Sequence, residues 1–361
     1  MTDKQKNLDF QVRKDDFHET RQVETPTPLP QPGQVVLKVH SFAVTANNIT
    51  YAAFGDAMGY WQFYPAEDGW GRIPVWGYAD VVASEHADIK TGERLFGYWP
   101  MAQYAVLTPA HVDAATVVEG ARQRQQLNPF YNRYQRCGAD PDYVETQEDW
   151  NSIFRPLGLT AFLLDEHLAE QEFWGATNVV LSSASSKTSY SLAHFLQQRD
   201  GCEVTGLTSP SNVEFVRKLD CYDQVVDYAE LETLAADAPT VFVDMAGDAE
   251  VRQRLHAHYG RALKQSITVG GTHWTAIAPP MGLAGPEPTF FFAPSHIGER
   301  IKQWGPDEFQ KRFASAWTIL LPKVKAGIQL VQINGMEGLE DVYRAMLDGT
   351  AAANKGYIIN P

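Results

Sequence analysis

Apolar residues follow two different rhythms along this chain. Up to about residue 110 they come in short runs: VVLKVHSFAV (35–44), IPVWGYADVVAS (73–84), ERLFGYW (93–99) and AQYAVLTP (102–109). Runs of this length, rich in β-branched and aromatic residues and broken by glycine or proline, predict strands. The proline-rich ETPTPLPQPG (24–33) ends in a turn signal and leads into the first of them. Many strands with little helical period describe a compact β-rich unit. From residue 178 the rhythm changes. NVVLSSA (178–184), EVTGLT (203–208), QVVDY (224–228), TVFVDMAG (240–247) and SITVGG (266–271) alternate with helical segments such as TSYSLAHFLQQR (188–199). That alternation predicts a parallel sheet covered on both faces, a doubly wound α/β domain.

Between the two regions, RPLGLTAFLLDEHLAE (155–170) carries apolar residues at helical spacing. Residues 110–150, charged and interrupted by prolines, read as a connector packed on the domain junction. After the parallel sheet come FFFAPSHI (290–297), a helix-like DEFQKRFASAWTILLPKV (307–324) and a closing strand, helix and strand: IQLVQI, GLEDVYRAMLDG and KGYIIN. No internal repeat stands out.

Composition narrows the function classes. At 361 residues two domains are expected, and 44% hydrophobic with 20% charged residues is a globular balance. A net charge of −14 argues against nucleic acid, whose phosphates need a basic patch. Cys137, Cys202 and Cys221 form no C-x-x-C pair, and an odd count suggests neither a disulfide framework nor a cysteine zinc site. The charged MTDKQKNLDFQVRKDD start has no apolar signal region, and no run approaches the length of a membrane span. A cytoplasmic protein with a small-molecule substrate and no membrane partner is expected.

The order of the parts resembles the medium-chain dehydrogenase/reductase superfamily, in particular its zinc-free quinone-reductase-like branch. The points of similarity are VVLKVHSFAVTANNITYAAFGD (35–56), GERLFGYWPMAQYAVLTPAHV (92–112), GLTAF (158–162) and the C-terminal GLEDVYRAMLDGTAAANKGYIIN. Within that superfamily the chain is similar to the divergent DUF2855 group, whose name supplies no substrate. The resemblance implies an α/β fold, a GroES-like β-rich domain plus a Rossmann doubly wound parallel sheet. The GroES-like domain is expected over 1–125 with 325–361, and the Rossmann domain over 126–324. It also implies a homodimer joined through the sheet edge near Thr289-Phe290-Phe291-Phe292.

A Rossmann phosphate loop uses glycines for its tight turn and for close approach to the pyrophosphate. Here the strand runs into Ser182-Ser183-Ala184-Ser185-Ser186-Lys187-Thr188-Ser189. The family pattern would place glycine at Ser183, Ser186, Lys187 and Ser189; all four are replaced. Two readings compete. Small serines, a helix N-terminus and the Lys187 cation suit a phosphate; alternatively the loop has lost its cofactor and the serines cap a helix. The second strand ends in Thr208-Ser209-Pro210-Ser211-Asn212 without the carboxylate that selects NAD, which favours NADP(H). Arg217 and Lys218 downstream suit a solvated helix face better than contact with the nucleotide. Carried over by the resemblance, nucleotide contacts fall on Thr160, Ser183, Ser185, Ser186, Lys187, Thr188, Thr208, Ser209, Asn212, Gly270 and Gly271.

The zinc branch of the superfamily carries a cysteine after the first long strand and a G-H-E motif. The corresponding residues here are Thr45 and Gly77-Tyr78-Ala79, so no zinc is expected. Zinc-free relatives pass hydride from the nicotinamide and take a proton from a tyrosine or water. Tyr51, with Asn48 nearby, stands where such a group falls, although packing inside the β-rich domain explains a tyrosine equally well. The aromatic Tyr60-Trp61-Gln62-Phe63-Tyr64 suits either domain packing or a wall around a flat substrate. The leading expectation is an NADP-dependent reductase of a small carbonyl-conjugated or quinone-like compound. The alternative is a non-redox ligand-binding protein or lyase on the same fold.

Overall fold

The computed structural model describes residues 6–270 and 282–361, and the chain divides into two compact units. One unit holds residues 1–153, 330–351 and 355–361; the other holds 154–329 and 352–354.

The first unit is built on an antiparallel sheet around the strand Val35–Val44. Only Lys38 and His40 of that strand are exposed. The apolar run is explained by its neighbours: Pro74–Ser84 pairs along one edge, Tyr104–Leu107 along the first half of the other and Lys355–Asn360 along the second. The sequence placed these strands within a residue or two. A three-stranded sheet of Lys6–Arg13, Thr20–Pro26 and Trp70–Gly71 lies in the same unit. Its first two strands had no expected counterpart.

The expectation for 110–150 needs correction. Pro109–Val112, Thr116–Glu119 and Arg133–Arg136 extend the main sheet beyond Arg94–Pro100 as an antiparallel ladder. The segment is therefore sheet rather than connector. The division falls at 153/154, inside the helix Glu148–Glu170, whereas the sequence reading put it at 125/126.

The second unit contains a six-stranded sheet whose described pairings are all parallel. Its spatial order is Gln224–Asp227, Glu203–Thr208, Asn178–Leu181, Thr240–Asp244, Leu263–Thr268, Thr289–Phe290. Numbered along the chain this is 3-2-1-4-5-6, the Rossmann order. Every residue of Asn178–Leu181 and Thr240–Asp244 is buried, as a sheet covered on both faces requires. Val180, Leu207, Phe242 and Leu255 meet in the core that fixes this sheet. Both the β-rich unit and the doubly wound sheet follow the expected fold class.

Candidate functional site

In open α/β sheets ligands bind outside the carboxyl ends of the strands, where the strand order reverses. Here the reversal lies between Asn178–Leu181 and Thr240–Asp244, and a hydrogen-bond network ties their ends together. The Ser182 hydroxyl donates to Asp244 Oδ1 at 2.8 Å and accepts from the Met245 and Ala246 N–H groups at 2.9 and 3.1 Å. Gly247 N also reaches Oδ1, at 2.9 Å, while Arg252 grips Oδ2 through Nε and Nη2 at 2.9 and 2.8 Å. Asp244, Ser182 and Arg252 are all buried. Asp244 and Arg252 were not singled out from the sequence, and Ser182 only as the first residue of the serine loop. The available signals were a carboxylate closing the buried strand TVFVD and an arginine eight residues on.

The serine loop rises from this base. Ser183 has φ 50°, the left-handed region that glycine adopts freely. For an L-residue that conformation costs roughly 1–2 kcal/mol, so the serine keeps a glycine backbone at the position where the family pattern has glycine. Its N–H donates to the Tyr228 hydroxyl at 2.7 Å, and Tyr222 donates to the Ala184 carbonyl at 2.9 Å. The loop lies against the second strand at Gly206, where a Cβ would come within 2.8 Å of the Ala184 Cβ. At Gly270, a Cβ would stand 2.8 Å from the Met245 carbonyl oxygen. Gly271 lies outside the described residues.

Ser186 caps the helix Lys187–Leu196, its hydroxyl accepting from Ser189 N at 3.3 Å. The Ser189 hydroxyl turns back to the Ser182 carbonyl at 2.7 Å. Burial lowers the Lys187 ammonium to about 8, a cation at a helix start where N–H groups lack intrahelical acceptors. Ser185 and Thr188 are half-buried beside it.

The remaining nucleotide candidates differ in surroundings. Thr208 ends the second strand buried, and its hydroxyl has no hydrogen-bond partner among the described residues. The Ser209 hydroxyl accepts from Asn212 Nδ2 at 3.1 Å and meets the Ser211 hydroxyl at 3.2 Å, closing the following turn on itself. Thr160 donates to the Pro156 carbonyl one helical turn back, at 3.2 Å. Lys218 pairs with Glu214 on an exposed helix face.

In the first unit Tyr51 sits among rings. Tyr60 lies 4.7 Å away between centroids, Tyr98 5.4 Å and Tyr131 6.3 Å. The Tyr51 hydroxyl accepts from Trp76 Nε1 at 3.3 Å. Burial raises this phenol above its ordinary value, and the Trp76 and Asn47 side chains oppose the rise. Asn48 has a different part. Its Oδ1 accepts from Thr45 N at 2.7 Å and its Nδ2 donates to the Pro74 carbonyl at 3.0 Å, so its amide holds backbone. Tyr60, Trp61 and Phe63 are buried in packing.

Among the described residues no group of three or more His, Cys, Asp or Glu is placed to hold a metal ion, and no helix is long and apolar enough to cross a membrane.

Among solved structures the fold matches CurA from Vibrio vulnificus, with TM-score 0.61, 13% identity and 98% of each chain covered. It also matches the yhdH oxidoreductase from Salmonella enterica in complex with NADP, with TM-score 0.57, 14% identity and 99% of each chain covered. A third match is the quinone oxidoreductase from Coxiella burnetii, with TM-score 0.54 and 13% identity over 99% of this chain and 100% of that one. At 13–14% identity the likeness shows a shared fold. Among curated proteins no sequence matches. The family model described as protein of unknown function (DUF2855) matches residues 42–352, and the chain belongs to that family.

Proposed function

We propose that this chain is an NADP-dependent oxidoreductase that reduces a small carbonyl-conjugated or quinone-like compound without zinc. The observation that carries the reading is Ser183 at φ 50° on the strand-order reversal, a serine held in the backbone of a phosphate loop. Strain of this kind persists where the surroundings impose it. The Thr208 hydroxyl, unpartnered among the described residues, and the Lys187 cation beside a helix start supply polar groups of the kind a phosphorylated ribose needs. The second strand ends without a carboxylate, which favours the extra phosphate of NADP. The NADP complex of the Salmonella protein and the NADPH complex of CurA support the same choice. When bound, the nicotinamide supplies hydride; the proton is assigned to the Tyr51 hydroxyl. Thr45 and Tyr78, at the zinc branch's ligand positions, are engaged with Asn48 and Asn151, which supports a zinc-free site.

Calorimetric titration tests the cofactor. NADPH is expected to bind, and more tightly than NADH. Charge-assisted hydrogen bonds contribute roughly 1.5–3 kcal/mol each, so Lys187→Ala is expected to weaken NADPH about ten- to a hundred-fold. Equal weakening of NADH would assign Lys187 to the pyrophosphate rather than the 2′-phosphate. The pH dependence has a definite sign. Burial lowers the Lys187 ammonium to about 8, and a bound phosphate raises that value. Binding therefore takes up a proton above pH 8, and affinity falls as pH rises through that range. Calorimetry at pH 9 in buffers of different ionisation enthalpy reads the uptake directly.

A second reading rests on one observation: the Tyr228 and Ser186 hydroxyls already occupy the Ser183 and Ser189 N–H groups. If neither nucleotide binds at millimolar concentration, a ligand-binding protein or lyase takes first place.

We also propose a homodimer through the strand Thr289–Phe290, which among the described residues closes the sheet beside Leu263–Thr268. Phe290 is 54% exposed on this edge, the kind of edge that invites a second strand. Sedimentation is expected to find a dimer, and Phe290→Glu a monomer. A native monomer at every concentration rejects the interface.

A further inference from the structure

A cavity of about 290 Å³ lies within the first unit, and none of the residues assigned above to nucleotide or proton transfer lines it. Its walls include Pro26, Pro100, Phe63, Tyr64 and Tyr104, an apolar and largely ring-shaped lining. Four charged side chains face it as well: Asp9, Arg72, Glu119 and Arg124.

Asp9 is 1% exposed. Its Oδ2 accepts from Gln11 Nε2 at 2.6 Å and from Arg72 Nε at 2.7 Å, with Arg72 Nη2 also at 2.7 Å. Oδ1 accepts from no group among the described residues. Native interiors rarely leave a buried acceptor unmatched, because its desolvation is then uncompensated. The asymmetry, every donor on one oxygen and none on the other, points to a donor supplied from the cavity.

Arg124, 2% exposed, supplies a buried positive charge on the same cavity. Its Nε donates to the Phe63 carbonyl at 2.9 Å and Nη1 to the Tyr134 hydroxyl at 2.8 Å, with the guanidinium 4.3 Å from the Tyr64 ring centroid. Its guanidinium also lines the cavity. Glu119 is satisfied by the Thr108 and Ala121 N–H groups at 2.8 and 2.7 Å, and Arg72 Nη1 by the Pro65 carbonyl. Two acids and two bases leave the cavity without net charge, so a net-neutral ligand suits it better than an ion.

We propose that this cavity binds a small, net-neutral dipolar molecule: an N–H donor for Asp9 Oδ1, an oxygen-bearing group facing the Arg124 guanidinium and an apolar body between the rings. Amino-acid zwitterions and capped amino-acid amides share this chemistry. The volume corresponds to roughly ten water-sized units at ~30 Å³ each, which accommodates a phenylalanine-sized molecule.

Calorimetry on the full chain with three probes tests the site. L-phenylalanine and N-acetyl-L-phenylalaninamide carry both donor and acceptor, whereas 3-phenylpropionate lacks the N–H. At least one of the first two is expected to bind in the millimolar range or tighter, with 3-phenylpropionate at least tenfold weaker. Preference for L-phenylalanine indicates a free amino acid; preference for the capped amide indicates a peptide-like ligand. Asp9→Asn is expected to weaken binding at least tenfold. That substitution also touches the Arg72 pair, so Ala121→Trp, on the cavity wall, is the second variant. It fills the space with the four charges intact and should abolish binding with the thermal transition unchanged. Equal binding of 3-phenylpropionate, no binding of either dipolar probe at tens of millimolar, or binding unaffected by both variants overturns the proposal. None of these outcomes bears on NADPH, whose proposed contacts lie in the other unit.

Discussion

Arg252→Met is expected to lower the stability of the Rossmann unit by about 3–5 kcal/mol, the cost typical of stranding one partner of a buried ion pair. The Arg252 and Asp244 side chains are 8% and 1% exposed, so water cannot take over the lost contacts. Methionine keeps much of the apolar volume, which isolates the electrostatic loss from a cavity. Asp244 Oδ1 would retain Ser182 and Gly247, but Oδ2 would lose its only described donors. Denaturant unfolding of the variant reads the loss. Adding Asp244→Asn should recover part of it, because the stranded charge disappears, and this recovery separates a charge effect from poor packing. A loss below about 1 kcal/mol would mean that the pair behaves like a surface bridge, and the closed base assigned to the loop would have to be abandoned.

That network also shows where sequence reasoning stopped. The strand–loop–helix around Ser182–Ser189 was legible because a β-branched run gives way to small residues and then to helical spacing. Nothing in the sequence announces that Tyr228 lies against Ser183, since the two are 45 positions apart and meet only when parallel strands align. The same holds for Ser182 and Asp244, 62 apart. In the β-rich unit the long strands were legible from their apolar content. The four-residue strand RYQR, Arg133–Arg136, was not. Only Tyr134 of it is buried, packed at 4.6 Å on Trp99 and hydrogen-bonded to the Tyr98 carbonyl, so ladder bonds and one ring hold it rather than a pattern. The helix expected over 155–170 from its apolar spacing begins earlier, at Glu148, and carries Pro156 inside it. Ile153 and Phe154 ahead of the proline are wholly buried, so tertiary packing overrides the missing N–H. Asn48 was expected beside Tyr51 as a catalytic group, whereas its amide holds the turn into Ala46–Ala53.

Tyr51→Phe is expected to lower turnover about a hundred-fold or more while leaving NADPH affinity intact, the size of effect typical of a lost general acid. The phenol has what that part requires. Burial raises it above its ordinary value, so it remains protonated through the neutral range. Its oxygen accepts from Trp76 Nε1 at 3.3 Å, which leaves the hydroxyl hydrogen to donate elsewhere. The same indole N–H stabilises the phenolate that forms when the proton leaves, opposing the effect of burial. The rings of Tyr60, Tyr98 and Tyr131 fix the phenol's position, and phenylalanine preserves those contacts. An enone or quinone substrate with NADPH gives the measurement, read as kcat separately from the KM for nucleotide. Trp76→Phe serves as the companion variant: it removes the donor without the acid and should reduce kcat less than Tyr51→Phe. The hydroxyl's removal also strands the Trp76 N–H, so thermal unfolding of both variants controls for a lost fold. Full turnover in folded Tyr51→Phe would return Tyr51 to the aromatic packing of the β-rich unit and assign the proton to another group.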